Sequence, residues 1–384
     1  MLRKLPRADR TLLAFVAEGF FSRLSFGILT FVVPLYALQQ GMDLATIGLF
    51  LSVNVVVSIA LKPVMGALAD RAGYRRSLIA AILLRSGVTL VFAFAATPAA
   101  LFAARALHGV SIALRDPALG ALLAEHGGKK KVAQSFAWWQ TAKSLAGNGS
   151  KIAGGLLLAA TGGDFQLVFL AAFALSLVPL HVVVRHVRET PPYRSVVRPA
   201  PAAVVEAPRT QERLERSAIA SFAGLGLMIS LTAYMVGPMF PIIMVAYAGV
   251  SLDQAGLIYG LSGLVALTAP GFGWLADNVS NKLVLSLRSA ANIGSSALYI
   301  VAPNLAGVAA GRVVDDLGKA AFKPAWGKLM ADVSALDKRR RARLMGYMSS
   351  GEDAGEALGP ILAGLLMSIW TIPVMLGARI VLAA

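Results

Sequence analysis

Acids and bases stand inside apolar runs of this chain at helical spacing, and the chemistry open to it follows from them. Arg312, Asp315, Asp316, Lys319 and Lys323 recur at i, i+3, i+4, i+7 and i+11, which is one stripe of one helix. Arg312–Asp316 and Asp315–Lys319 can pair at i,i+4, which leaves Lys323 without an acid on that helix. A second run carries Glu352, Asp353 and Glu356, with Glu352 and Glu356 on one face. Others are Glu18, Arg23, Arg85, Arg105, Arg115, Asp116, Lys143 and Lys151, and the sets Arg105/His108/Arg115 and Lys143/Lys151 again have helical spacing. A charge at mid-bilayer costs about 2.5–3.5 kcal/mol on insertion scales, so such groups must face a cavity, a partner or the membrane rim. Two chemistries compete. In one, the charges are salt bridges that lock helices together. In the other, the bases form an electropositive pocket for an anionic or zwitterionic solute while carboxyls carry protons. Proton coupling needs a carboxyl that changes charge in the working range, which burial or like-charge crowding makes possible. Glu18, the one acid of its run, and the crowded Glu352, Asp353 and Glu356 are the candidates. His108, Trp138 and Trp139 read as packing or interfacial residues before they read as ligands.

The elements that must hold these charges are membrane helices. Hydrophobic residues make up 57% of the 384, and the mean hydropathy is +0.68. Runs of about 20 residues, enough to cross about 30 Å of hydrocarbon, fall at 11–38, 44–69, 76–97, 99–124, 132–160 and 165–185, then at 217–247, 252–276, 283–302, 305–331, 343–367 and 369–384. The first is a span rather than a cleaved leader, because no small-residue cleavage site follows it. The net charge of +16 sits between the runs. Bases crowd alternate loops, at Arg71, Arg75 and Arg76, at Lys129 to Lys131, and at Lys338 to Arg341, while the loops around Gln40, Thr97, Gly162, Gly249, Pro303 and Trp370 have none. That alternation places both termini on the cytoplasmic side of the plasma (inner) membrane and argues against nucleic acid as the partner of the excess charge. There is no cysteine, hence no thiolate metal site or thiol nucleophile.

The chain is also duplicated at a spacing of 207 residues. Pro34 matches Pro241, Pro63 Pro270, Gly66 Gly273, Asp70 Asp277, Arg105 Arg312, Pro117 Pro324 and Gly120 Gly327. Proline and glycine mark special backbone positions, so the register says that backbone shape is repeated. The expected fold is all-α and integral to the membrane: twelve transmembrane helices in two pseudo-symmetric six-helix bundles, 1–188 and 216–384. A cytoplasmic linker, 189–215, rich in proline and arginine, tethers them.

The run Gly66-Ala67-Leu68-Ala69-Asp70-Arg71-Ala72-Gly73-Tyr74-Arg75-Arg76 resembles the signature loop of the major facilitator superfamily, G-x-L-x-D-R-x-G-x-R-R, and Gly273-Trp274-Leu275-Ala276-Asp277 echoes it. Leu101 to Gly109 is similar to that family's embedded-arginine motif. Ser150-Lys151-Ile152-Ala153-Gly154-Gly155 departs from its antiporter motif by Lys151 where proline is expected, and the Gly-Pro form stands instead at Gly359-Pro360. The resemblance covers the whole chain. It implies a transporter in which Gly66, Asp70, Arg71, Gly73, Arg75, Arg76, Gly273 and Asp277 latch the outward-open state rather than touch cargo. It also implies that the protein works as a monomer.

The expected function is therefore secondary transport by alternating access, proton-coupled, of a small anionic or zwitterionic solute. The alternatives are a drug/proton antiporter and a non-transporting receptor or scaffold on the same fold. The partners are the solute, protons and membrane lipids. No catalytic group, metal site or cofactor motif stands out, and no G-x-x-x-x-G-K-[ST] loop is present to drive the process with nucleotide.

Overall fold

The computed structural model describes residues 7–126, 128–187, 209–334 and 341–384. Helices α1 (Arg7–Gln39), α2 (Leu44–Ala72), α3 (Tyr74–Phe94), α4 (Pro98–His126), α5 (Gly128–Ala160) and α6 (Phe165–His186) build the first bundle. The second begins with α7 (Arg209–Val236), which breaks and resumes as α8 (Phe240–Ile242) and a π-turn over Ile243–Tyr247. Next come α9 (Leu252–Ser262), a 3₁₀ segment (Gly263–Thr268) and α10 (Ala269–Asn278), which together make one crossing. Helices α11 (Asn281–Val301), α12 (Leu305–Ser334), α13 (Arg341–Ile369) and α14 (Ile372–Ala383) complete it. Among the described residues twelve crossings in two six-helix bundles are thus present, all but the start of the seventh within a few residues of the expected positions.

One boundary needs correcting. Of the expected linker 189–215, residues 189–208 lie outside the described residues, but α7 already starts at Arg209. The last proline of the segment is Pro208, and nothing after it interrupts a helix.

Prolines shape the crossings. Pro34, Pro63, Pro117, Pro324 and Pro360 stand inside helices, where each lacks the N–H that would reach the carbonyl four residues back. At Pro238 and Pro241 the helix breaks. Pro241 cannot donate to the Gly237 carbonyl, and the Tyr259 hydroxyl of α9 donates to it instead, at 2.9 Å. The break therefore fixes the ring of Tyr259.

The bundles meet along two seams related by the duplication, α2 with α13 and α5 with α9. A Cβ on Gly48 would lie 2.2 Å from the Pro360 carbonyl oxygen, and one on Gly155 would lie 2.7 Å from the Gly256 Cα. Only glycine permits such an approach, so Gly48, Gly364, Gly155 and Gly256 set how closely the halves pack. All four lie near the base-free loops. At the base-rich end the neighbours come from within one half: Gly66 faces Pro117, and Gly273 faces Pro324.

Candidate functional site: the charged centre between the halves

In the first half, α1 brings Glu18 against Arg115 of α4. Nη2 and Nε of Arg115 donate to the same oxygen, Oε1, at 2.6 and 3.2 Å, and Oε2 is buried without a hydrogen bond. Asp116 reaches Arg115 only at 3.7 Å, with its side chain 49% exposed. The other bases are met by rings and carbonyls. Arg85 lies 4.0 Å over the ring of Phe26, which stacks on His108 at 3.9 Å. Arg105 donates to the Leu51 carbonyl at 3.2 Å, with the Phe50 ring 5.6 Å away. Lys143 stands 4.0 Å over Trp139. Nε of Arg85, Nε of Arg105 and Nδ1 of His108 are buried and have no hydrogen-bond partner. An aromatic face attracts a cation but cannot accept all its N–H donors. These bases are therefore held in place with bonding capacity to spare.

The second half is organised around acids. Both i,i+4 pairs of α12 form: Arg312 Nε reaches Asp316 at 3.0 Å, and Lys319 reaches Asp315 at 2.5 Å. Asp315, wholly buried, also receives Arg288 of α11 at 3.3 Å and Arg379 of α14 at 2.7 Å. Arg379 donates further to the Thr232 carbonyl at 2.7 Å, the Asn292 Oδ1 at 2.7 Å and the Ser296 Oγ at 2.9 Å. This hub ties α7, α11, α12 and α14 together. Lys323 is exposed, and Glu352 lies within its electrostatic reach. Glu352 accepts the indole N–H of Trp326.

Glu356 faces the other half. It shares its stripe with Pro360 and Gly364, the residues that touch α2. Tyr234, Asp353, Lys62 and Arg23 interact with it electrostatically, as does Arg105. Lys151 of α5 also crosses the seam, its ammonium 4.1 Å from the centre of the Tyr259 ring.

The loop-motif residues lie apart from these charges. Asp70 accepts the Tyr74 hydroxyl at 2.9 Å, Arg75 donates to the Val187 and Val184 carbonyls at 2.6 and 2.9 Å, and Asp277 pairs with Lys328 at 3.0 Å. Gly73 has φ of 94°, which suits the tight α2–α3 turn, and Arg71 and Arg76 are exposed.

Sequence reasoning missed Arg288, Arg379, Tyr259 and Lys62. Arg288 and Arg379 are embedded bases in apolar runs, and the cost of burying a charge marks them as clearly as it marks Arg312. Neither has an acid at helical spacing on its own helix, so no pattern drew attention to them.

A two-bundle membrane fold with a charged centre between its halves defines a class of membrane transporter, and sequence comparison names the family. The Major Facilitator Superfamily model matches residues 19–234 and 222–384, and the chain belongs to that family. It is similar to the methylenomycin A resistance protein of Bacillus subtilis (strain 168), 32% identical over 143 residues, which are 35% of this chain and 30% of that protein. It is 26% identical over 301 residues to the 4-hydroxybenzoate transporter PcaK of Pseudomonas putida, covering 70% of this chain and 66% of that one. The matches thus span about a third and about two thirds of those relatives' lengths. Among solved structures, the nucleoside transporter NupG superposes with a TM-score of 0.77 at 14% identity, over 97% of each chain. An inward-facing bacterial homologue of the lysosomal transporter Spinster gives 0.75 at 16%, over 95% of this chain and 83% of that one. These two likenesses speak to the fold alone.

Proposed function

We propose that the protein is a proton-coupled secondary transporter that moves a small anionic or zwitterionic solute across the plasma (inner) membrane by alternating access. One observation carries the reading. Among the described residues of the first half, Arg23, Arg85, Arg105, Arg115 and Lys143 are embedded with a single buried carboxylate, Glu18, which pairs with Arg115, while Nε of Arg85 and Nε of Arg105 are buried without an acceptor. A cargo anion supplies both the missing charge and the missing acceptors. The likeness to a 4-hydroxybenzoate transporter agrees with a carboxylate cargo.

On this reading, 1–188 and 216–384 are the moving halves, the termini are cytoplasmic, and a monomer suffices. The glycine seams then lie at the outer end, so the arrangement is inward-facing. Asp70 and Asp277 are paired within their own halves, which suits latch residues released from the outward-open state. Glu356, set among N-half bases, is the first candidate for the coupling proton and Glu18 the second.

A second reading is drug export. The resistance-protein relative and the multidrug resistance protein MdtD of Pectobacterium atrosepticum, 39% identical over 80 residues, favour it over short stretches. Counterflow in proteoliposomes separates the two: labelled benzoate should exchange against an anionic panel, whereas exchange confined to neutral or cationic amphiphiles would reject an anionic cargo. In the same vesicles Glu356→Gln should abolish the dependence of uptake on an imposed pH gradient, and an unchanged dependence would remove Glu356 from the mechanism.

A further inference from the structure

The two halves share one ring. Tyr259, pinned by its hydroxyl to the Gly237 carbonyl, has the Lys151 ammonium of the first half 4.1 Å from its centre and the Arg312 guanidinium of the second half 4.5 Å from it. Lys151 stands on α5 and Tyr259 on α9, whose backbones Gly155 and Gly256 bring together, and Arg312 of α12 approaches the same ring. The ring between them is neutral. It can stabilise each cation but cannot offset their mutual repulsion.

Nor do the neighbouring acids make up the deficit. Arg288, Arg312, Lys319 and Arg379 share only Asp315 and Asp316. Nη1 of Arg312 makes no hydrogen bond, and its nearest carboxylate oxygen, Asp315 Oδ2 at 3.8 Å, is held by Lys319 at 2.5 Å. Among the described residues Lys151 makes no ion pair and no hydrogen bond, and Asp316 acts on it only from beyond ion-pair distance. Arg312 is 5% exposed and Lys151 is part-buried.

We propose that Lys151 and Arg312, one from each half, form a single carboxylate site beside Tyr259, and that a bound organic anion stabilises the closed seam. The guanidinium supplies a directed N–H donor from Nη1, and the ammonium supplies the opposing charge. This deepens the anionic-cargo reading by adding a contact point at the seam to the first-half bases, and it rests on that reading. The duplication isolates the pair: the position matched to Lys151 in the second half is Leu358, so no second copy of the site exists.

The test uses the full chain in nanodiscs with benzoate as probe. Lys151→Gln and Arg312→Gln should each weaken benzoate binding by about tenfold or more, and Lys151→Arg by no more than about threefold, since a charge-assisted contact is lost in the first two and kept in the last. Because the chain has no cysteine, spin labels at Gln40→Cys and Ser251→Cys report closure across the base-free rim. Benzoate should sharpen the short-distance population in the otherwise unaltered protein and fail to do so with Lys151→Gln. If benzoate binds the parent protein and Lys151→Gln equally, the site assignment is wrong while anionic cargo stands. If neither benzoate nor 4-hydroxybenzoate nor phosphate binds the parent protein, the anionic reading falls, and this site with it. Equal closure by sodium chloride alone would overturn the organic carboxylate in favour of an inorganic ion. Should Arg312→Gln fail to fold, the paired Lys151 variants decide.

Discussion

Positions 207 residues apart occupy equivalent places in the two halves, yet they are charged differently. Arg105 and Arg312 are twins, but Arg312 has Asp315 and Asp316 below it, whereas the places matched to those acids hold His108 and Gly109. An acid could not stand at Gly109, because a Cβ there would lie 2.6 Å from the Asn54 carbonyl oxygen of α2. Arg85 in turn matches Asn292, the amide that helps to hold Arg379. The second half thus holds its bases with carboxylates, and the first holds most of them with Phe26, Phe50, Trp139 and a backbone carbonyl. Carboxylates fix helices to one another; rings leave donors open. Duplication supplied the backbone, and divergence made one half a braced wall and the other an electropositive one.

The largest effect should come from removing the brace. Asp315→Asn leaves Arg288 and Arg379 buried without their charge partner, and breaking a buried pair costs about 3–5 kcal/mol. Thermal unfolding in detergent should show a greater loss than for Glu18→Gln, where one arginine is affected and Trp139 remains 6.0 Å from it. Equal losses would mean that the halves are braced alike.

Tyr259→Phe comes next. It keeps the ring but strands the Gly237 carbonyl that Pro241 cannot serve, at about 1–3 kcal/mol. The matched Ser52 bonds only within its own helix, to the Gly48 carbonyl at 3.1 Å, and Ser52→Ala should change the melting temperature far less.

His108→Asp would carry the second half's acid into the first. If open cations are what distinguish that half, initial benzoate uptake should fall about tenfold, or 1.4 kcal/mol. Undiminished uptake would mean that the first half's bases do not meet the anion.

The smallest effect concerns helix starts. Asp43 caps α2 by accepting from the Thr46 amide at 2.9 Å and hydroxyl at 2.7 Å, and the amide bond first, then the hydroxyl, holds its carboxyl below the usual range. The matched helix α9 is preceded by Ser251 at its N-cap, whose side chain makes no capping bond. Asp43→Ala should cost about 1 kcal/mol and Ser251→Ala only a few tenths. A lowered folded-state pKa means that this contribution is present above about pH 4, the unfolded value, and is lost as the pH falls through the folded one. Melting curves of Asp43→Ala and its parent should therefore converge in acid.

Much of this could be read without coordinates. Apolar runs longer than a bilayer is thick, alternating basic loops and the 207-residue register fixed twelve helices in two matched bundles, because these depend on local composition and on spacing along one helix. The Arg312–Asp316 and Asp315–Lys319 pairs were legible for the same reason: a helix brings i and i+4 together wherever it sits. Contacts between helices were not. Glu18 meets Arg115 across 97 positions, Arg379 meets Asp315 across 64, and Lys151 meets Tyr259 across the seam. Periodicity says which way a side chain points from its own helix but not which helix stands opposite. Which acids were already occupied, and which bases kept donors without acceptors, was decided only when the helices packed.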